Sequence, residues 1–224
     1  MTLPIRAKHV ERPLQIAVVD YGMGNLGSVR HALTFLGHQA HITSDVDAIT
    51  AADAVVLPGV GAFGLAVENL HHRKLAKPLS SKVVDRRAPF LGICLGMQLI
   101  AREGMENGRH AGLGWIDGEV IRLEGESRAQ RVPHVGWAPI SAGDLTLFDT
   151  LADGSAFYFD HSYHLQCPAT DVAARCRGEF SFVAAVRRDN IFATQFHPEK
   201  SQRSGLRLLR NFTNYAMARR DGPA

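Results

Sequence analysis

The sequence predicts an α/β fold: a single domain on a mixed, mostly parallel sheet with helices on both faces. Two observations predict it. In the first half, short apolar segments rich in β-branched residues alternate with longer helical stretches, the pattern of parallel strands buried between crossover helices. In the second half the strand-like runs shorten and follow one another with Gly, Pro and Asp between them, which is an antiparallel pattern. The chain has 224 residues, 46% of them hydrophobic, enough to bury a core.

Leu14 to Asp20, LQIAVVD, reads as a strand running into the glycine-rich YGMGNLGS and then a helical stretch ending near Gly37. Gln39 to Thr43 and Ala54 to Leu57 follow as strands, the latter ending in PGVGAFG before another long helical stretch. Pro89 to Ile93 is a fourth strand, Cys94 opens the next turn, and MQLIA is helical. After Gly112 come the β-like runs GEVIRL, RVPHVGW, AFYFDHSYHL, VAAVRR and IFATQF. Ser201 is expected to cap a last amphipathic helix with Leu206, Leu209 and Phe212 on one face. Residues 1–12 are expected to form a loose extension, 13–218 the domain and 219–224 a polar tail.

Composition excludes several classes of function. Lys and Arg total 25 against 22 Asp and Glu, a net charge of +3, too mild for the electrostatic footprint of a nucleic-acid binder. No run reaches the roughly 18 apolar residues of a membrane helix, and MTLPIRAKHVERP lacks the apolar centre of a signal peptide. A cytoplasmic location is expected. Cys94, Cys167 and Cys176 are odd in number and widely spaced, which argues against a disulfide framework and leaves room for a reactive thiol.

Two motifs lead away from the strongest one. Gly22, Gly24 and Gly27 form GxGxxG after a strand, with Asp45 or Asp47 about 20 residues on, which alone would suggest a nucleotide-binding oxidoreductase. Asp20 and Tyr21 intervene before the first glycine, however, and an acid there would face the phosphates. His161, His164 and Cys167, with Cys176 nearby, would suit zinc on a helix. FYFDHSYHLQ reads as strand and loop, where that spacing does not converge, so no metal is expected.

The strong signal is GICLG, Gly92 to Gly96, between an apolar strand and a helical stretch. It has the form of a nucleophile elbow, with cysteine where hydrolases place serine. A thiolate there gains from the free N–H groups of the following helix. QFHPEKS supplies His197 as proton carrier and Glu199 two residues on, side by side if the segment is extended, to orient the imidazole. PGVGAF, at the end of the neighbouring strand, can turn backbone N–H groups of Gly59, Val60 and Gly61 inward, and with the N–H of Leu95 make an oxyanion hole.

On these residues the chain, over about Leu14 to Met217, resembles the triad-type (class I) glutamine amidotransferases, a flavodoxin-like fold. GICLGMQ and HPE carry the wider likeness. DYGMGN, PGVGAF, PHVGW, HSY and HPEKSQ resemble in particular the glutaminase subunits of imidazole glycerol phosphate synthases, in histidine biosynthesis. The resemblance implies that Cys94 attacks the side-chain amide of free L-glutamine, that His197 protonates the departing ammonia and that Glu199 orients the histidine, without a cofactor. It implies that Gln98 and Glu106 hold the glutamine head group and that the HSY segment, His161, Ser162 and Tyr163, meets its α-carboxylate. It also implies a (β/α)8-barrel cyclase as partner in a heterodimer, docked on Asn25, Pro133, Val135, Trp137, Tyr158 and Lys200. Three places depart from the pattern: Asp160 before HSY, Ala138 after PHVGW, and RCRG around Cys176. They leave open a glutaminase paralogue that serves another acceptor.

Overall fold

A computed structural model describes residues 10–124, 131–178 and 180–222. In chain order its elements are β1 (Gln15–Val19), α1 (Leu26–Phe35), β2 (Gln39–Thr43), α2 (Val46–Ala51), β3 (Ala54–Gly59), α3 (Phe63–His72), α4 (Ala76–Ser80), β4 (Phe90–Cys94), α5 (Leu95–Leu99), β5 (Ala101–Gly104), β6 (His110–Ala111) and β7 (Ile116–Arg122). There follow β8 (His134–Ala142), α6 (Leu145–Phe148), β9 (Ala156–His161), β10 (Tyr163–Gln166), β11 (Val172–Cys176), β12 (Val183–Arg188), β13 (Ile191–Thr194) and α7 (Gln202–Asp221).

The main sheet has the order β2-β1-β3-β4-β13-β12-β11-β8-β9. Its first five strands pair in parallel and the rest antiparallel. The parallel half has the flavodoxin-like order, in which the crevice at the carboxyl ends of the strands is the binding place. Alternation along each strand divides the core. Ile16, Val18, Val56, Leu91, Ile93 and Phe192 face one side, against Val29, Leu33 and the Leu208, Leu209 and Phe212 face of α7. Ala17, Val19, Val55, Leu57 and Phe90 face the other, against Phe63, Leu70, Leu79 and Leu99.

A second sheet, β10-β7-β5-β6, was not separated by the sequence pattern. Its Ile116, Val120 and Leu165 join the second core cluster. The helical reading of MQLIA fails beyond Leu99, because Ala101 is drawn into parallel pairing with Ile116. AFYFDHSYHL is two strands: the chain leaves the main sheet at His161 and enters the small one at Tyr163, with the Ser162 carbonyl accepting from Leu123 N–H. Val172–Cys176 is a further strand that the sequence reading did not single out.

Ser201 precedes α7, but its hydroxyl does not cap the helix. It donates to the His197 carbonyl (2.6 Å) and accepts from Tyr158 N–H (3.0 Å). The helix continues to Asp221, into the segment read as a tail. There Arg220 donates to the carbonyls of Arg12 and Pro13 and pairs with Asp53. Most of the 1–12 segment lies outside the described residues.

Candidate active site

Cys94 ends β4 at the carboxyl edge of the parallel strands. Its φ of 54° and ψ of −108° place a non-glycine residue in a conformation that sterics disfavour. The flanking glycines make this turn possible. A Cβ on Gly92 would meet Gly96 backbone atoms within 2.9 Å, and one on Gly96 would run into the Leu57 carbonyl.

Behind Cys94, at the end of β13, lie His197 and Glu199. The imidazole Nδ1 is 2.8 Å from Glu199 Oε1, and both side chains are sealed from solvent. The pair forms as the residue spacing suggested, but by a different local structure. Pro198 opens a single 3-10 turn, Pro198–Lys200, and it is this turn that brings the carboxylate back to the ring. With Nδ1 engaged by Glu199, the buried Nε2 is left without a hydrogen-bond partner and is the atom available to the Cys94 sulfur. Burial alone would lower the His197 pKa. The pull of the Cys94 sulfur and of the Glu199 carboxylate outweighs it and pushes the value up to about 10.

In front of Cys94 is a cleft of about 480 Å³ lined by Val60, Gly61, Ala62, Cys94, Leu95, Gln98, Glu106, Pro133, Asp160, His161, Ser162 and Tyr163. The structure thus collects on one cleft most residues that the sequence analysis proposed for the oxyanion and for glutamine. Val60 is 41% exposed and keeps a negative φ, whereas Gly61 has φ of +109°. Gly59 lies outside the lining, and a side chain there would run into the buried Tyr21 hydroxyl and the Leu95 Cβ.

The polar groups of the cleft have fixed orientations. Gln98 Nε2 donates to the Tyr163 carbonyl (2.9 Å) and to Gln195 Oε1 (3.2 Å), so its own oxygen is the end left as an acceptor. The Tyr163 carbonyl also lies 2.9 Å from His161 Nδ1, which must therefore carry the proton. Burial holds the His161 pKa down at about 3, against the contrary pull of that carbonyl, and the ring is neutral. Glu106 Oε2 accepts from Phe63 N–H at 2.7 Å, tying the carboxylate to the first turn of α3.

Four of the residues expected to meet a partner, Val135, Trp137, Tyr158 and Lys200, lie together. Trp137 stands opposite Tyr158, and Val135 opposite Asp160, across the β8–β9 ladder. Val135 is 56% and Trp137 48% exposed. The Trp137 and Tyr158 rings meet edge to face at 6.2 Å, and Lys200 Nζ lies 5.4 Å from the Tyr158 ring centre. Pro133, two residues before Val135, lines the cleft, so cleft and face are continuous. Asn25 is exposed at the start of α1, accepting from Ser28 N–H. Of the three departures from the family pattern, Ala138 and Cys176 are core residues. Only Asp160 reaches the cleft.

The competing motifs take other roles. Asp20 accepts from Gly22 N–H at 2.8 Å, closing the glycine turn with an acid where a phosphate would need the amides. His161 lines the cleft while His164 packs on Phe182, and among the described residues no group of His, Cys, Asp and Glu could hold a metal ion. No helix among them is long and apolar enough to cross a membrane. Gln195 and Ser201, both in contact with the site, were missed. Gln195 stands two residues before His197, a spacing that could have flagged it.

The chain matches the family model "Glutamine amidotransferase class-I" over residues 17–215. It is 46% identical over 199 residues to the imidazole glycerol phosphate synthase subunit HisH of Rhodopirellula baltica, covering 88% of this chain and 96% of that protein. It is 45% identical over 203 residues to the protein of the same name from Syntrophotalea carbinolica, covering 88% and 98%. Among solved structures, PurLQS from Thermotoga maritima shares the fold with a TM-score of 0.67 at 19% identity, covering 89% of this chain and 97% of that one. With the elbow cysteine, the buried His–Glu pair and these relatives together, the chain belongs to the class-I glutamine amidotransferase family, in its group of imidazole glycerol phosphate synthase HisH subunits.

Proposed function

We propose that this chain is the glutaminase half of an imidazole glycerol phosphate synthase. It hydrolyses free L-glutamine through a Cys94 thioester and passes ammonia to a (β/α)8-barrel cyclase, with which it forms a cytoplasmic heterodimer. The observation that carries this reading is Cys94 on its tight turn, between the cleft and the buried His197–Glu199 pair.

His197 Nε2 holds the proton given up by the Cys94 thiol, in keeping with its raised pKa, and the thiolate attacks the amide carbon. N–H groups of Leu95 and of the Val60–Gly61 segment receive the oxyanion. His197 then returns the proton to the departing nitrogen, releasing ammonia and leaving the thioester. Water, deprotonated by the same imidazole, frees glutamate. The outward oxygen of Gln98 and the Glu106 carboxylate suit the α-ammonium. The α-carboxylate can only accept, so it is left to N–H groups around Ser162 and Tyr163, whose carbonyls are turned to other donors.

Docking falls on Asn25, Pro133, Val135, Trp137, Tyr158 and Lys200. The exposed Trp137 and Val135 beside the half-buried Tyr158 favour a protein partner, and the Lys200 ammonium can meet a carboxylate there. Because Pro133 borders both the cleft and this face, ammonia has a short route between them. A glutamine-like diazo ketone should alkylate Cys94 in the wild type and leave Cys94→Ala unmodified, while that variant still supports cyclisation from ammonium salt. Labelling elsewhere, or glutamine hydrolysis at the normal rate by Cys94→Ala, refutes the assignment.

A further inference from the structure

We infer that Gln195 is a catalytic residue of this site: a hydrogen-bond donor that stabilises the Cys94 sulfur as an anion, both before attack and when it leaves the thioester. The inference rests on Cys94 being the nucleophile and adds a group to its machinery. Gln195 is fully buried, and its Nε2 lies 3.7 Å from Cys94 Sγ. The direction of the amide is set by its surroundings. Gln98 Nε2 can only donate, and it points at Gln195 Oε1, so the NH₂ end of Gln195 must face the sulfur. Gln98 is in turn held by the Tyr163 carbonyl, and the Gln195 main chain donates to the Ala184 carbonyl at 2.8 Å.

The chemistry of the two groups beside the sulfur differs. The Asp160 carbonyl, 4.0 Å from Sγ, is an acceptor and suits the S–H form. The Gln195 amide is a donor and suits S⁻, because a hydrogen bond to the charged form favours that form. His197 also favours the thiolate while it is protonated, but its charge is lost whenever it surrenders the proton to ammonia. Gln195 gives up no proton at any step. When the second tetrahedral intermediate collapses, the C–S bond breaks and the electron pair returns to sulfur, Gln195 donates beside a His197 recharged by the proton from water. While the thioester stands, with His197 neutral, Gln195 is the donor that remains. A fully buried amide that did not serve a polar partner at both ends would cost stability.

Gln195 could instead act only by holding Gln98. The two roles separate in a reaction that uses the sulfur but not the glutamine head group, which is alkylation of Cys94 by iodoacetamide. Peptide mass mapping of the full-length chain gives the rate as a function of pH for the wild type, Gln195→Met and Gln195→Glu. Methionine keeps length and apolar packing without a donor. Glutamate keeps the shape and the acceptor for Gln98 but, when ionised, sets an acceptor against the sulfur. Over the pH range in which the rate still climbs with pH, Cys94 should react about tenfold slower in Gln195→Met, and slower than the wild type in Gln195→Glu once that carboxyl is ionised. Cys167 and Cys176, whose thiols are held by burial at about 11, are internal references and should not change. Alkylation profiles like the wild type's in a folded variant, with only the KM for glutamine raised, would overturn the inference and leave the nucleophile intact. A wild-type Cys94 no more reactive than Cys167 would instead overturn the nucleophile reading itself, and needs no variant to detect.

Discussion

Replacing the nucleophile by glycine should give a dead enzyme that is more stable than the alanine variant. At φ 54° and ψ −108° Cys94 lies outside even the small left-handed region open to L-residues, so the upper part of the range for such strain, about 3 kcal/mol, applies. Alanine carries the same strain and glycine removes it. Against this, glycine gives up a buried methyl, about 0.8 kcal/mol, and makes the unfolded chain freer by about 0.7 kcal/mol. The balance favours Cys94→Gly over Cys94→Ala by about 1.5 kcal/mol, or about 3 to 6 °C in melting temperature for a chain of this size.

Both variants lack the sulfur, so differences in its pairing with His197 cancel. The assay is thermal and urea unfolding of the two side by side, with ammonia-dependent synthesis by the reconstituted complex as the test of native docking. A Cys94→Gly protein equal to or less stable than Cys94→Ala would show that the elbow stores no strain. The tight turn would then have to be explained by packing alone.

Other outcomes follow from the same geometry. The His197 pKa is raised to about 10, so its contribution to stability is complete below about 6.5 and is lost as pH rises toward 10; Glu199→Gln should flatten that alkaline decline in melting temperature and lower kcat by about two to four orders of magnitude. Glu106→Gln keeps an acceptor for Phe63 N–H, so melting should be unchanged while KM for glutamine rises about 10- to 100-fold, the value of a charge-assisted bond. Val60→Gly should raise the glutaminase activity of the isolated chain and shrink its stimulation by partner and cyclase ligand, read as glutamate release, because a β-branched residue resists the peptide rotation that would aim a second oxyanion donor. Ser201→Ala removes the hydroxyl shared by the His197 carbonyl and Tyr158 N–H and should lower kcat about five- to tenfold with little change in KM, as expected for about 1 kcal/mol of positioning, with Ser201→Thr restoring it.

Legibility in the sequence depended on whether the parts of a feature are neighbours in the chain. The elbow was legible because Gly92, Cys94 and Gly96 are consecutive enough to report one backbone conformation. The His197–Glu199 pair was legible as a spacing, but its cause was not: an extended segment and a 3-10 turn after Pro198 both bring such residues together. The helical reading of MQLIA extended too far because an apolar run carries no sign of where a partner strand will capture it, and only Ile116 beside Ala101 ends the helix. Gln195 was missed for a related reason. Its place two residues before His197 was a hint, but its contact with the sulfur arises because β13 lies against β4, with Thr194 beside Ile93, a pairing across about a hundred residues that the local pattern does not display.

The same contrast bears on how partner and active site can communicate. Tyr158 presents its ring to the face proposed for docking, under Lys200 and beside Trp137. Both of its backbone groups are committed to the catalytic segment: its carbonyl accepts from His197 N–H at 2.9 Å, and its N–H donates to the Ser201 hydroxyl. A partner that shifts Tyr158 must therefore move or strain the His197 backbone, whereas Val60, exposed on the cleft wall, can be moved without touching that backbone. The two routes have different kinetic signatures. Displacement through Tyr158 changes proton transfer and so the pH profile of kcat, while rotation at Val60 changes oxyanion stabilisation with the pH profile preserved. Comparing those profiles in Ser201→Ala and Val60→Gly, with and without the cyclase, assigns the stimulation to one route: a profile shifted by cyclase in wild type but not in Ser201→Ala places it on Tyr158, and an unshifted profile in both places it on the oxyanion loop.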